Sequence, residues 1–238
     1  MLKVLIGCDP EGFITRKDGR FVSAAGFFPG TKKEPKELED GAVQVDGVAL
    51  EFNIIAADDA ELFAKRIKNV IAQLDEMVVN ILDKDHKLSF VPVAKFDPTD
   101  WKEIPDTAKV LGCDPDYNAL TGAINVNPIE ALGEMPLRTA AGHIHIGWTE
   151  KKDSQDVGHK ADCKYIAHGF YSRYLKPFVA STKEEQERLR YYGHHGSYRC
   201  KPYGVELRSP SNLWVGSEHG RVEAFNITRN TFKTLTGF

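Results

Sequence analysis

Arg138-Thr-Ala-Ala-Gly-His-Ile-His-Ile-Gly-Trp148 carries two histidines two residues apart, with isoleucines between and after them. Side chains i and i+2 of a β-strand share a face. His143 and His145 therefore point together, and Ile144 and Ile146 point the other way, into a core. Imidazoles on a rigid strand serve metal ions or phosphate oxygens. Partly buried histidines with ordinary hydrogen-bond partners fit the same pattern. The two readings separate on whether carboxylates from other segments join that face.

Outward from this stretch, the same two-residue period recurs. Tyr203-Gly-Val-Glu-Leu-Arg-Ser-Pro210 reads as a strand with Glu206 and Arg208 on one face. The preceding Tyr191-Tyr-Gly-His-His-Gly-Ser-Tyr-Arg-Cys-Lys201 reads as a glycine-punctuated loop dense in cations and aromatics. Near the start, residues 2–6 form a short buried strand that runs into Gly7-Cys-Asp-Pro-Glu-Gly12. Continued extended geometry would put Asp9 and Glu11 on one face, but taken alone Asp9-Pro10 reads better as a plain Asp-Pro turn. Pro10 cannot donate a ladder hydrogen bond, which predicts a strand end or an edge. Ala42–Ile54 reads as a hairpin turning at Asp46-Gly47, with Glu51 and Asn53 opposite Leu50, Phe52 and Ile54.

Helical spacing marks residues 59–83, capped by Asp58 with Glu61. Further helices are expected from about Lys160 to Pro177, from Thr182 with a Thr182/Glu185 capping box, and over roughly 216–235. Residues 20–22, 24–28 and 88–93 read as strands, and the region around Asn125–Pro128 as loop. Short strands with hairpins and a few helices predict an α+β fold, a largely antiparallel sheet flanked by helices.

The 238 residues, 42% apolar and 27% charged, suit one sizeable domain spanning 1–238. A net charge of −3 predicts no nucleic-acid or membrane partner. Four scattered cysteines without a CxxC pair fit a reducing cytoplasm. Met-Leu-Lys-Val-Leu-Ile-Gly7 is too short an apolar run for a signal peptide. No Gly-x-x-x-x-Gly-Lys-Ser/Thr, Gly-x-Gly-x-x-Gly or Gly-x-Ser-x-Gly motif is present. Hard cations such as magnesium take oxygen ligands and share them with nucleotide phosphates, so strand-borne carboxylates could hold a nucleotide without a glycine-rich loop.

Four motifs occur in order: Gly7-x-Asp9-x-Glu11, Asp46-Gly-x-x-x-Glu51-Phe-Asn53, Gly142-His-Ile-His145, and Tyr198-Arg-x-Lys-x-Tyr-Gly-x-Glu206-x-Arg208-Ser-Pro210. In this order they resemble the carboxylate–amine ligase superfamily, which has the catalytic fold of glutamine synthetase and glutamate–cysteine ligase. The likeness is to the compact, phage-encoded amidoligase-type branch, and it spans residues 4–215. It implies ATP-dependent amide formation through an acyl phosphate, with magnesium or manganese bound on a curved antiparallel sheet. It implies metal ligation by Asp9, Glu11, Asp46, Glu51, His143 and Glu206, with His145 nearer the ATP phosphates. Arg199, Lys201 and Arg208 would hold phosphates, and Glu51, Glu206, Arg199 and Arg208 would form the catalytic set. The hairpin reading, by contrast, sets Asp46 in a turn. The implied partners are a carboxylate and an amine, each a small molecule, a peptide or a protein. The implied location is the cytoplasm, that of a bacterial host for a phage protein. Two other readings stay open: a zinc-type hydrolase built on His143, His145 and His194 or His195, and an inactive binding or virion-associated module of the same fold.

Overall fold

The computed structural model describes residues 3–110, 116–125, 135–173 and 182–237. Its spine is one long strand, β1 (Leu5–Arg16). Extended backbone runs straight through Gly7-Cys-Asp-Pro-Glu-Gly12, so the strand is far longer than the short one expected over residues 2–6. Two more short strands and a hairpin follow: β2 (Phe21–Val22), β3 (Lys36–Leu38), β4 (Gly41–Asp46) and β5 (Ala49–Ile54). Residues 24–28, expected as a strand, form turns.

The helix α1 (Ala60–Ile81) begins at Asp59, whose side chain accepts from Leu62 N at 2.8 Å. Asp58, expected to cap, pairs instead with Lys3. The single strand expected over 88–93 is two: β6 (His86–Ser89) and β7 (Val93–Lys95). Two short helices follow, α2 (Pro98–Glu103) and α3 (Asp106–Lys109). Then come β8 (Asp116–Asn118), β9 (Ile124–Asn125), β10 (Leu137–Thr139) and β11 (Gly142–Gly147). β9 replaces the start of the loop expected around Asn125, and the rest of that loop lies outside the described residues. α4 (Val157–Arg173) starts three residues before Lys160, and its expected end at Pro177 also lies outside the described residues. In α5 (Lys183–Arg188) Thr182 caps through Glu185 N, while the Glu185 carboxylate turns to Arg188 rather than back to the cap. The last elements are β12 (Ser197–Lys201), β13 (Gly204–Leu207), a 3-10 turn (Asn212–Gly216) and α6 (Glu218–Thr236).

The main sheet runs β3–β4–β5–β1–β11–β13–β12–β8–β9, with β2 and β6 paired to the far half of β1, and every pairing is antiparallel. Pro10 therefore sits in a central strand, against the expectation of an edge. The sheet opens locally to admit it. β1 pairs with β5 at Gly12↔Leu50 and Glu11↔Glu51, and the next pairing toward its start is the bridge Ile6↔Ala57 just past β5, a register one residue longer on that side. Ile6 N donates toward Ala57 and Glu11 N toward Ala141 on the other side. By alternation, the missing N–H of Pro10 falls in the gap beside β5, where no ladder bond is required.

One face of the sheet is apolar. Ile6, Leu50, Phe52, Ile144, Ile146, Val205 and Leu207 pack with Phe63, Ile67, Leu74, Phe170, Phe225 and Phe232 of α1, α4 and α6. Each such side chain, buried, contributes about 1.5–3 kcal/mol. The opposite face holds the polar residues, with a smaller apolar cluster of Phe13, Phe96, Trp101 and Ile104 at one end. No helix among the described residues is long and apolar enough to cross a membrane.

Candidate active site

Register places the polar side chains in rows across the sheet. Gly7, His145, Glu206 and Arg199 lie opposite one another on β1, β11, β13 and β12. Asp9 lies opposite His143, and Glu11 opposite Glu51, which in turn faces Gln44. Because Ile144, Ile146, Val205 and Leu207 are committed to the core, their odd-numbered and even-numbered neighbours have only the polar face left.

Two groups of ligand atoms result. Asp9, His145 and Glu206 bring one donor each within 4.8 Å of one another, and Glu11, Asp46 and Glu51 do the same. Asp9 and Glu11 join the groups, since they share a face of β1. Asp46 belongs to the second group because the hairpin turns one residue later than expected. Its turn residues are Gly47, at φ +58, and Val48, so Asp46 ends β4 opposite Ala49 and on the face of Glu51.

In the first group His145 Nε2 lies 2.9 Å from Asp9 Oδ1, and His145 Nδ1 lies 2.6 Å from Tyr203 OH. His143 Nδ1 lies 3.3 Å from Asp9 Oδ1 and 3.6 Å from Glu206 Oε1, with its Nε2 3.1 Å from Tyr192 OH. Arg208 contacts Glu206 and Tyr192 and donates through Nε to Asp116 at 2.8 Å. Lys201 Nζ is 2.7 Å from Glu206 Oε2, and Arg199 reaches 4.0 Å from the other oxygen. Arg199 and Lys201 thus stand on a strand, not in the loop expected there.

The electrostatics of the two groups differ in sign. Burial and Asp9 push Glu206 upward, but Arg208, His143 and His145 outweigh them and hold it at about 2. Asp9 is likewise held well below its ordinary range, because both imidazoles outweigh its burial. Burial, then Arg208, lowers His143, while His145 is raised because Asp9 outweighs burial. Glu11 is pushed up to about 8 by burial and then by Asp46, and Glu51 is raised by burial and then by Asp9, Glu11 and Asp46.

The donor set fits a hard divalent cation. Asp9 Oδ1, His145 Nε2 and Glu206 Oε2 are buried without an aligned hydrogen-bond partner, despite their short contacts. Converging buried donors of this kind suit a shared cation better than one another. A cavity of about 610 Å³ opens beside them, walled by Leu5, Ile54, Trp148 and Tyr203 and floored by Asp9, Glu51 and His145.

His194 and His195 are exposed, and neither enters a ligand group among the described residues. The hydrolase set of His143, His145 and one of these two is not assembled. Tyr192, Tyr203 and Asp116 were not expected in the site. Tyr192 follows a turn, Tyr203 lies in the turn between β12 and β13, neither carries a periodic signal, and Asp116 opens a strand of three residues.

No protein-family model and no curated protein matches the sequence. In three dimensions the chain is similar to the bifunctional glutathione synthetase from Pasteurella multocida, with a TM-score of 0.51 and 10% identity over 97% of this chain and 38% of that one. The chain therefore spans well under half the length of that enzyme. The likeness establishes the fold, an α+β architecture with a large antiparallel sheet and flanking helices, as expected.

Proposed function

We propose that this chain is an ATP-dependent ligase that joins a carboxylate to an amine through an acyl phosphate. The observation that carries the reading is the pair of carboxylate groups, Asp9–His145–Glu206 and Glu11–Asp46–Glu51, adjacent across β1 on one face. Magnesium or manganese held there, with His143 beside the first group, would neutralise triphosphate charge and polarise the transferred phosphoryl group.

The chain's own residues supply the rest. Arg199, Lys201 and Arg208 line the β12–β13 side, where they would bind phosphate oxygens and meet charge that develops during transfer. The apolar cavity walled by Trp148 and Tyr203 suits a nucleobase, with its floor at the carboxylates. A carboxylate is a poor electrophile for an amine at neutral pH. Transfer of the γ-phosphoryl group of ATP to it releases ADP and gives an acyl phosphate, from which the amine, losing a proton, displaces phosphate. Positioning and charge neutralisation suffice for both steps, so no covalent protein nucleophile is required. The carboxylate and amine substrates are small molecules, peptides or proteins.

Calorimetric titration of ATP with magnesium into the wild type and Glu51→Gln tests the reading without knowledge of those substrates. Magnesium-dependent ATP binding, weakened at least about tenfold in a folded Glu51→Gln, is the expected result. No ATP binding with magnesium or manganese would sink it.

A further inference from the structure

Behind the site, Arg188 is buried completely together with Glu185, to which its Nη1 donates at 3.2 Å. A buried ion pair of this kind is a weak source of stability, because desolvation offsets the attraction. The remaining bonds of this guanidinium show another use. Nε donates to Ala140 O at 2.7 Å, Nη1 to Ser209 O at 2.9 Å, and Nη2 to Pro210 O at 3.2 Å. Ala140 precedes Ala141, whose N–H donates to Glu11 Oε2 at 2.7 Å and whose carbonyl accepts from Glu11 N at 2.9 Å. Ser209 and Pro210 follow Arg208 directly, and Pro210 O also accepts from Gly142 N at 2.9 Å, next to His143. The guanidinium also stands 5.7 Å from the centre of the Tyr192 ring, which Arg208 approaches at the same distance. Gly193, at φ +73, leaves no room for a side chain: a Cβ would come within 2.5 Å of both terminal nitrogens.

We propose that Arg188 is a positioning residue. Its planar fork ties the backbone that holds Glu11 through Ala141 and leads into His143 to the backbone that presents Arg208, fixing the two halves of the site against each other. A lysine, with its point charge, cannot reach carbonyls on both sides at once. The consequence for metal affinity rests on the ligase reading; the tie itself does not.

The test is Arg188→Lys, with the double variant Glu185→Gln/Arg188→Met as the folded alternative that leaves no lone buried charge. Two quantities are read: amide hydrogen exchange at Ala141 and Gly142 relative to Ile144, and Mn²⁺ affinity by paramagnetic resonance. The expected result is at least about tenfold faster exchange at Ala141 and Gly142 with Ile144 unchanged, and Mn²⁺ binding weakened about 10–100-fold. Unchanged exchange at Ala141, or an equal rise at all three amides, would overturn the proposal and leave Arg188 a merely structural residue. A wild type that binds no Mn²⁺ would instead remove the metal reading, while the exchange result still decides the tie.

Discussion

Glu11 and Glu51 are carboxylic acids that burial, and then their acidic neighbours, push toward protonation, Glu11 to about 8. The sign of the consequence follows from linkage. Between the unfolded carboxylate range near 4.5 and the folded value, the folded chain binds more protons than the unfolded chain. Unfolding free energy therefore falls as pH rises through that window in metal-free protein. Glu206, held at about 2, acts oppositely: its contribution is present above the unfolded value and is lost as pH falls through the folded one. Thermal unfolding in chelator should show a melting temperature that declines from about pH 5 to pH 8. Added magnesium should reverse the decline, and Glu11→Gln should lessen it, with the part due to Glu51 remaining. A metal-free melting temperature that rises across the window would contradict the assignment. At this scale the sequence was informative where alternation was plain, as for His143, His145, Glu206 and Arg208, whereas Asp9-Pro10 read better as a turn than as the strand it forms. It was silent on Tyr192, Tyr203, Asp116 and Arg188, whose roles come from contacts far along the chain.

Among the elements, strand register decided what pattern alone could not. Moving the hairpin turn by one residue, to Gly47-Val48, carries Asp46 from the turn onto the face of Glu51, because each step along a strand reverses the side chain. The Asp-Gly pair misled because glycine takes the positive φ in either turn placement. Pro10 misled for a different reason: a proline in a central strand requires a local gap, and the sequence carries no sign of the extra residue on the β5 side that makes it. β12 was hidden by its own polar face, since Arg199 and Lys201 flank Cys200 in a segment dense with glycine. β11 offers the sharpest test of how an element serves the site. Trp214 Nε1 donates to Gly142 O at 3.0 Å, and a Cβ on Gly142 would lie 2.5 Å from Ser211 O and 2.7 Å from that nitrogen. Gly142→Ala should therefore push the start of β11 away from the 3-10 turn, displacing His143 from Asp9. A destabilisation of about 1–3 kcal/mol in urea titration is expected. Wild-type stability in this variant would mean that the turn yields freely and does not hold the histidine strand.

At the scale of the molecule, the apolar face of the sheet and the helices α1, α4 and α6 form one continuous cluster from Ile6 to Phe232. The fold class was legible because periods of two and 3.6 alternate without a βαβ rhythm. The order of the strands was not, since β1 lies between β5 and β11, partners drawn from distant parts of the sequence. Both ligand groups hang on that sheet, and each takes one residue from β1. Metal binding and global unfolding should therefore be linked, since no part of the site can keep its geometry once β1 leaves the core. Scanning calorimetry should give one transition whose calorimetric and van't Hoff enthalpies agree. A magnesium concentration about 100-fold above its dissociation constant should stabilise that whole transition by about 2.7 kcal/mol per site. Two transitions, with magnesium moving only one, would show that the helices and the sheet face unfold separately. The core that joins them would then not unfold as one unit.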